Sequence, residues 1–226
     1  MGSVKLKTIS LMFNPSIPTK MRLQFGDINI TPEVINRLND LGYTVPEFQQ
    51  AITRHKSLCD GEPAIYCGTY GKYSSGSICG LWVDLSSFDY FDEFINFCKA
   101  IHADEADPEL MFQDYCGFPG QWYRESGMDA ADFIHIQEYC ELCEKYDRDA
   151  VDDCLEVADD ITDFEDTYCG QWDCAELFAR HIIEECYNLE EAMGALSGYF
   201  DFEAYARDLF LTDYSMGSNG NVFRRA

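Results

Sequence analysis

Charge along this chain is divided, not blended. Residues 1–61 hold seven Lys and Arg against five Asp and Glu, a net of +2. Residues 62–226 hold the other nine bases against 36 acids, a net of −27. Any fold must therefore bury a core while spreading a large, self-repelling charge over its second part. Material for that core is present: 46% of residues are hydrophobic, with 16 Phe and 14 Tyr, which argues against disorder. The sign of the charge argues against binding nucleic acid, because phosphate contact needs cations to replace counterions. No apolar run approaches the roughly 18 residues that mark a membrane span. The opening Met-Gly-Ser-Val-Lys-Leu-Lys lacks the apolar stretch of a secretory signal, so a cytoplasmic location is expected. Eleven cysteines, an odd number in a chain of this length, fit reduced thiols acting as small buried hydrophobes. Adaptation to high salt would acidify the whole length. Here the acidity starts at a boundary, Cys59 to Pro63, which reads as a domain junction.

The first 61 residues predict a small accessory module. Leu6 to Phe13 is an extended stretch. Thr31-Pro32-Glu33 is a helix start with Thr31 as N-cap, and Gly42 a stop. A second helix starts at Thr44-Val45-Pro46 and runs to about Lys56. A helix-turn-helix is conceivable, but +2 is too weak to argue for DNA contact. Beyond Pro63 the pattern is β-β-α-β. Ala64 to Tyr70 and Ser77 to Leu85 are strands, with Lys72 to Gly76 as a loop between them. A helix follows Asp92, with Phe94, Phe97, Cys98 and Ile101 on one face, and Glu109 to Tyr115 is a third strand. Tyr66, Trp82, Phe94 and Phe97 read as core. Residues 128–166 turn helical, with one stripe of Phe133, Ile136, Cys140 and Cys143 and another of Val151, Cys154, Leu155 and Ala158. A third helix covers about Asp173 to Cys186, and Asp201 caps a last one through about Leu211. Met216 to Asn221 is loop. The fold class expected is α+β.

Motifs of catalysis are missing. There is no P-loop, no dinucleotide fingerprint and no HExxH, and His55, His102, His135 and His181 stand singly. Cys140 and Cys143 form a CxxC. They sit at i, i+3 on an apolar helix stripe, and Cys169 and Cys174 would complete a zinc site only with an irregular spacing. An EF-hand loop needs a glycine at its sharp turn, and no window supplies it. An enzyme or metalloprotein is thus the weakest of three readings, and no cofactor is expected.

The acids themselves are the strongest feature. Between Asp129 and Asp166 there are 15 acids in 38 residues, with only Lys145 and Arg148 as bases. Asp152, Asp153, Glu156, Asp159 and Asp160 avoid the apolar stripe of their helix. Like charges at i, i+4 cost about 0.2–0.5 kcal/mol per pair, so such a surface asks for a reason. If wholly helical, the segment would span about 57 Å, one acid per roughly 3.8 Å. A strand of B-DNA carries one phosphate per about 3.4 Å. A protein that grips phosphates is therefore a candidate partner. A solvated acidic face serving solubility is the plain alternative.

Tyr66-Cys-Gly-Thr-Tyr-Gly-Lys-Tyr-Ser-Ser-Gly, followed by Gly80-Leu-Trp-Val-Asp-Leu85, resembles the opening of the ArdA antirestriction proteins. Glu109-Leu-Met-Phe-Gln-Asp-Tyr115 with Gly117-Phe-Pro119 resembles the family's next block. Tyr199-Phe-Asp-Phe-Glu-Ala-Tyr-Ala-Arg-Asp-Leu209 resembles its C-terminal one. The blocks occur in family order from about Ala64 to the end. The resemblance implies a non-catalytic DNA mimic of mobile elements that occupies the DNA groove of type I restriction-modification enzymes. It implies an elongated row of three small α+β domains, about 64–125, 126–162 and 163–226, with dimer contacts in the last. Residues 1–61 are an addition to that pattern.

The phosphate surrogates expected in the first of these are Asp84, Asp104, Glu105, Asp107 and Asp114. In the acidic middle they are Asp129, Asp132, Glu138, Glu141, Glu144, Asp152, Asp153, Glu156, Asp159 and Asp160, with Asp163, Glu165 and Asp166 beyond it. Some are expected to cap helices or pair with bases instead. Arg207 and Asp208 read as an ion pair or a dimer contact. The alternative partner is another basic DNA-binding protein, such as a nucleoid protein or a CRISPR effector. Direct binding to nucleic acid or membrane is not expected.

Overall fold

The computed structural model describes residues 19–55 and 63–225. The stretch from Leu6 to Phe13 lies outside them. Among the described residues are ten helices and three small antiparallel sheets, a mixed α+β fold. The chain divides into two compact units, one ending at Ile136 and the other beginning at Gln137.

The first unit opens with a hairpin, β1 (Lys20–Leu23) and β2 (Gly26–Asn29). Met21, Leu23 and Ile28 point inward, so the period is two. Gly26 makes the turn at φ +125, where a side chain is strained. Helix α1 (Pro32–Asp40) starts as its sequence dictates: Thr31 Oγ1 accepts the Val34 N–H at 3.3 Å, and Pro32 occupies the first turn. Helix α2 (Val45–His55) begins with a reciprocal capping box. Glu47 Oε2 accepts the Thr44 N–H at 3.0 Å, and Thr44 Oγ1 accepts the Glu47 N–H at 3.4 Å.

Strand β3 (Ala64–Thr69) is buried along its whole length, as the centre of a sheet ordered β4-β3-β5 must be. β4 is Leu81–Asp84 and β5 is Leu110–Cys116. The segment after β3 folds into one helical turn, α3 (Tyr70–Ser74), rather than a loop. The cause is local: Thr69 Oγ1 accepts the Lys72 N–H at 3.2 Å and caps it. Helix α4 (Phe91–Ile101) buries Phe94, Phe97, Cys98 and Ile101. Their rings knit the module to the sheet, with Phe97 5.5 Å from Phe48 and 4.6 Å from His55. Tyr66 is buried and Trp82 half-buried, 5.6 Å apart ring to ring.

The division between units falls within α5 (Ala130–Lys145). The second unit continues with α6 (Arg148–Ala158), which ends at Asp159 in the left-handed region (φ 60), and with the single turn α7 (Phe164–Thr167). Its sheet is ordered β6-β8-β7, from Tyr168–Gln171, Asn221–Arg224 and Tyr214–Met216. The Gly217–Gly220 connection is a tight hairpin loop. Helices α8 (Ala175–Cys186), α9 (Leu189–Met193) and α10 (Phe202–Thr212) complete it, with Asp201 Oδ1 accepting the Ala204 N–H at 2.9 Å. Ala179, Ala206 and Leu209 form a core flanked by Phe210 and Tyr214.

Candidate partner-binding surface

The expected site is a population of carboxylates, so each is judged by where it faces and what it holds. In the first unit most of the named acids are engaged with their own chain. Asp84 caps the 3-10 turn Leu85–Ser87, accepting from Ser86 N at 2.9 Å and Ser87 Oγ at 2.7 Å. Asp104 accepts from Lys72 Nζ at 2.8 Å, and Glu105 accepts from Thr69 Oγ1 at 2.7 Å. Lys72 also reaches His102 Nδ1 at 2.9 Å, so this base is absorbed by a polar knot around a fully buried histidine. Asp129 is exposed and caps α5 through the Asp132 N–H, which holds its pKa below the usual carboxylate value. Asp132 is buried and ion-paired with Arg124. Asp107 and Asp114 are exposed.

The second unit carries a different arrangement. Glu138, Glu141 and Glu144 of α5 are all exposed and three residues apart. That spacing puts successive carboxylates about 4.5 Å apart along the helix axis. Glu138, Glu141, Glu165 and Asp166 rim a cleft of about 550 Å³ floored by Leu142, Ile161 and Phe164. Lys145 lies in that rim, ion-paired with Glu165.

Helix α6 presents a second acidic row. Asp149, Asp152, Glu156 and Asp159 are exposed at i, i+3, i+7 and i+10, opposite the buried Ala150, Val151 and Cys154. Asp152 accepts from Tyr139 OH at 2.7 Å, and Glu156 accepts from Ser218 N at 2.9 Å. Asp149 belongs to this row although sequence reading passed over it. Its i−3 relation to Asp152 was the available signal. Asp160 is exposed and ties its own turn, accepting from Ile161 N and Thr162 N, while Asp163 and Asp166 are exposed beside it.

Asp153 is the exception that corrects the surrogate set. It is 0% exposed and faces the β7–β8 loop rather than solvent. Its Oδ1 accepts from Asn219 N at 3.0 Å and Asn219 Nδ2 at 2.9 Å, and its Oδ2 from Asn221 N at 3.0 Å and Asn221 Nδ2 at 2.9 Å. Burial raises its pKa. The Asn221 side chain, the Asn219 and Asn221 amides and the Asn219 side chain lower it, and the net lies below the ordinary carboxylate value. Consecutive positions on α6 differ by about 100°, so Asp152 falls on the outer face and Asp153 on the inner one. Asp153 and Asp132 are thus folding residues, and a buried carboxylate offers a partner nothing.

Several bases of the acidic region are turned to internal work as well. Arg180 pairs with Glu176 at 3.3 Å and lies over the Phe202 ring at 4.0 Å. Arg225 donates to Leu211 O at 3.1 Å and Phe210 O at 3.3 Å, carbonyls at the end of α10. Arg148 lies 5.6 Å over the Tyr139 ring. Such contacts leave the outward rows of α5 and α6 strongly negative. Arg207 and Asp208 are both exposed on α10. Cys140 and Cys143 are half-buried, Cys169 is half-buried and Cys174 exposed; no group of three metal-ligating side chains occurs among the described residues. No helix among them is long and apolar enough to cross a membrane.

A family model described as antirestriction protein (ArdA) matches residues 65–223, well over half of the chain. No curated protein matches the chain significantly.

Proposed function

The chain belongs to the ArdA family of antirestriction proteins, and from that premise we propose that it works as a mimic of B-DNA. In this reading it inhibits type I restriction-modification enzymes by entering their DNA-binding groove, and it does so without catalysis. The observation that carries the reading is the pair of exposed acidic rows on α5 and α6, standing over a buried apolar face. Their rise, about 4.5 Å per carboxylate on α5 and about 5 Å on α6, is of the same order as the roughly 3.4 Å phosphate repeat of a DNA strand. A cationic groove shaped for phosphates would meet a row of charges of the sign it accepts, and counterion release would drive the contact.

The protomer is proposed to act as a cytoplasmic homodimer on behalf of a mobile element. Leu196, Tyr199, Leu211 and Tyr187 of the second unit are exposed at 62%, 83%, 66% and 61%. Large apolar side chains exposed on this unit are surface that an assembly would cover. The division at about 64–125, 126–162 and 163–226 is kept as a proposal for how ArdA-like parts follow one another.

The test is competition. A purified type I methyltransferase core is loaded with labelled duplex and titrated with this protein. Displacement that weakens as salt rises is the expected result. No displacement at low salt overturns the proposal for that enzyme. Salt-sensitive capture of a nucleoid protein or CRISPR effector, with no effect on the methyltransferase, moves the assignment to that partner.

A further inference from the structure

Strand β4 is an edge strand, with β3 on one side only. Its sequence, Leu81-Trp-Val-Asp84, has no Lys, no Pro and no bulge, and its own protections are its four-residue length and the Asp84 charge. A bare edge of this composition invites strand addition by another chain. The amides of Trp82 and Asp84 are two residues apart and both turn away from β3, as alternation in an antiparallel pair requires.

Neither of those amides is left open. Trp82 N donates to Gln24 Oε1 at 3.4 Å, and Asp84 N donates to His55 Nδ1 at 3.2 Å. Gln24 sits in the β1–β2 turn and His55 at the end of α2, so two separate elements of the N-terminal module supply the acceptors. The turn is also seated directly ahead of the strand. A Cβ added at Gly26 would lie 2.6 Å from Cys79 Sγ. On α4, ring contacts from Phe48 and His55 to Phe97 fix the module from behind, and Arg37 Nη1 donates to Ala103 O at 2.8 Å. The opposite edge of the sheet is closed by its own chain: Phe112 N donates to Glu125 O at 2.9 Å and Tyr123 OH to Phe112 O at 2.7 Å.

We infer that the segment Lys20–His55 is an edge guard: it closes β4 against strand addition by a second copy of this chain. Its acceptors are side chains, so it satisfies the exposed amides without extending the sheet. The match to the family model begins at residue 65, after the guard and before the strand it covers. The guard therefore answers what the added segment does: it keeps self-association away from the first sheet.

The test uses the full-length chain with Gln24→Ala and His55→Ala together. Hydrogen exchange is read residue by residue by NMR over a range of protein concentrations. At low concentration the Trp82 and Asp84 amides are expected to exchange tenfold or more faster than in the parent chain, with the Phe112 amide unchanged. At high concentration their protection returns as a species heavier than the parent assembly forms, because the opened edges pair. Unchanged exchange at both amides overturns the inference. So does fast exchange with no heavier species at any concentration, and so does equal loosening at Phe112. If the double variant does not fold, Gln24→Ala alone is read at the Trp82 amide by the same criteria.

Discussion

Two buried polar residues make the stability of this fold depend on pH. Burial holds His55 neutral and lowers its pKa to about 4, and Asp84 only partly opposes that. The folded state then binds fewer protons than the unfolded chain, so stability rises with pH. His55's contribution is fully present above about pH 6.5 and is lost as pH falls toward 4, a swing of roughly 3 kcal/mol. Urea titrations across that window should show the decline, and His55→Phe should flatten it while lowering stability at pH 7. Asp153 follows the carboxylate sign: its pKa is lowered, so its contribution holds above the ordinary carboxylate pKa and fails only in stronger acid. Asp153→Ala leaves the buried N–H groups of Asn221 and the partly buried ones of Asn219 without their acceptor, and the cost should be about 3 kcal/mol. A surface phosphate surrogate would cost nothing comparable, so the denaturation midpoint of this variant separates the two roles. Sequence alone put Asp152 and Asp153 in one class. Only the position of the Gly217–Gly220 loop, whose Asn219 lies 66 residues after Asp153, distinguishes them.

At the scale of elements, legibility followed the range of the forces. Helices α1, α2 and α10 carry their start signals in three or four adjacent residues, and Thr31, Thr44 and Asp201 cap them as expected. The β3-β4-α4-β5 unit was equally readable, because its strands alternate or run apolar and its helix repeats every three to four residues. The β1–β2 hairpin and the β6-β8-β7 sheet were not read. Their strands are three or four residues long, too short for periodicity to speak, and their stability comes from partners far away in the chain. Gly217 shows this dependence. A Cβ there would lie 2.3 Å from Asp153 Cγ, so the hairpin loop closes onto α6 only without a side chain. Gly217→Ala should therefore destabilise the second unit by an amount comparable to losing the Asp153 contacts. The two substitutions combined should fall well short of additive, since they break one junction. A cap test is more local: Thr44→Ala should cost about 1 kcal/mol by thermal unfolding.

For the molecule as a whole, the question is how a net of −25 is used. The charge is not neutralised by the chain's own bases in its second part, where Arg180, Arg225 and Arg148 are drawn to carbonyls, rings or single partners. It is also not a loose tail. It stands on helices whose opposite faces are buried, so its geometry is rigid, and rigid placement is what a groove built for a duplex can recognise. Binding of that kind is shared among many weak contacts, each screened by salt. Neutralising one exposed acid, for example Glu141→Gln, should change competition with DNA by less than about threefold, the loss of one screened contact worth below roughly 0.7 kcal/mol. Neutralising Glu138, Glu141, Glu144, Asp163 and Asp166 together removes five charges from one unit without touching Asp153 or Asp132, and Asp163, at the start of α7, makes no side-chain cap hydrogen bond there. Binding to the methyltransferase should then weaken by orders of magnitude at low salt, and the slope of log affinity against log salt should become shallower by several units. The fold should persist, or gain slightly, because like charges at close helical spacing no longer repel. If the fivefold variant still competes as the parent does, the recognised surface lies elsewhere, and the α6 row of Asp149, Asp152, Glu156 and Asp159 is the next to neutralise.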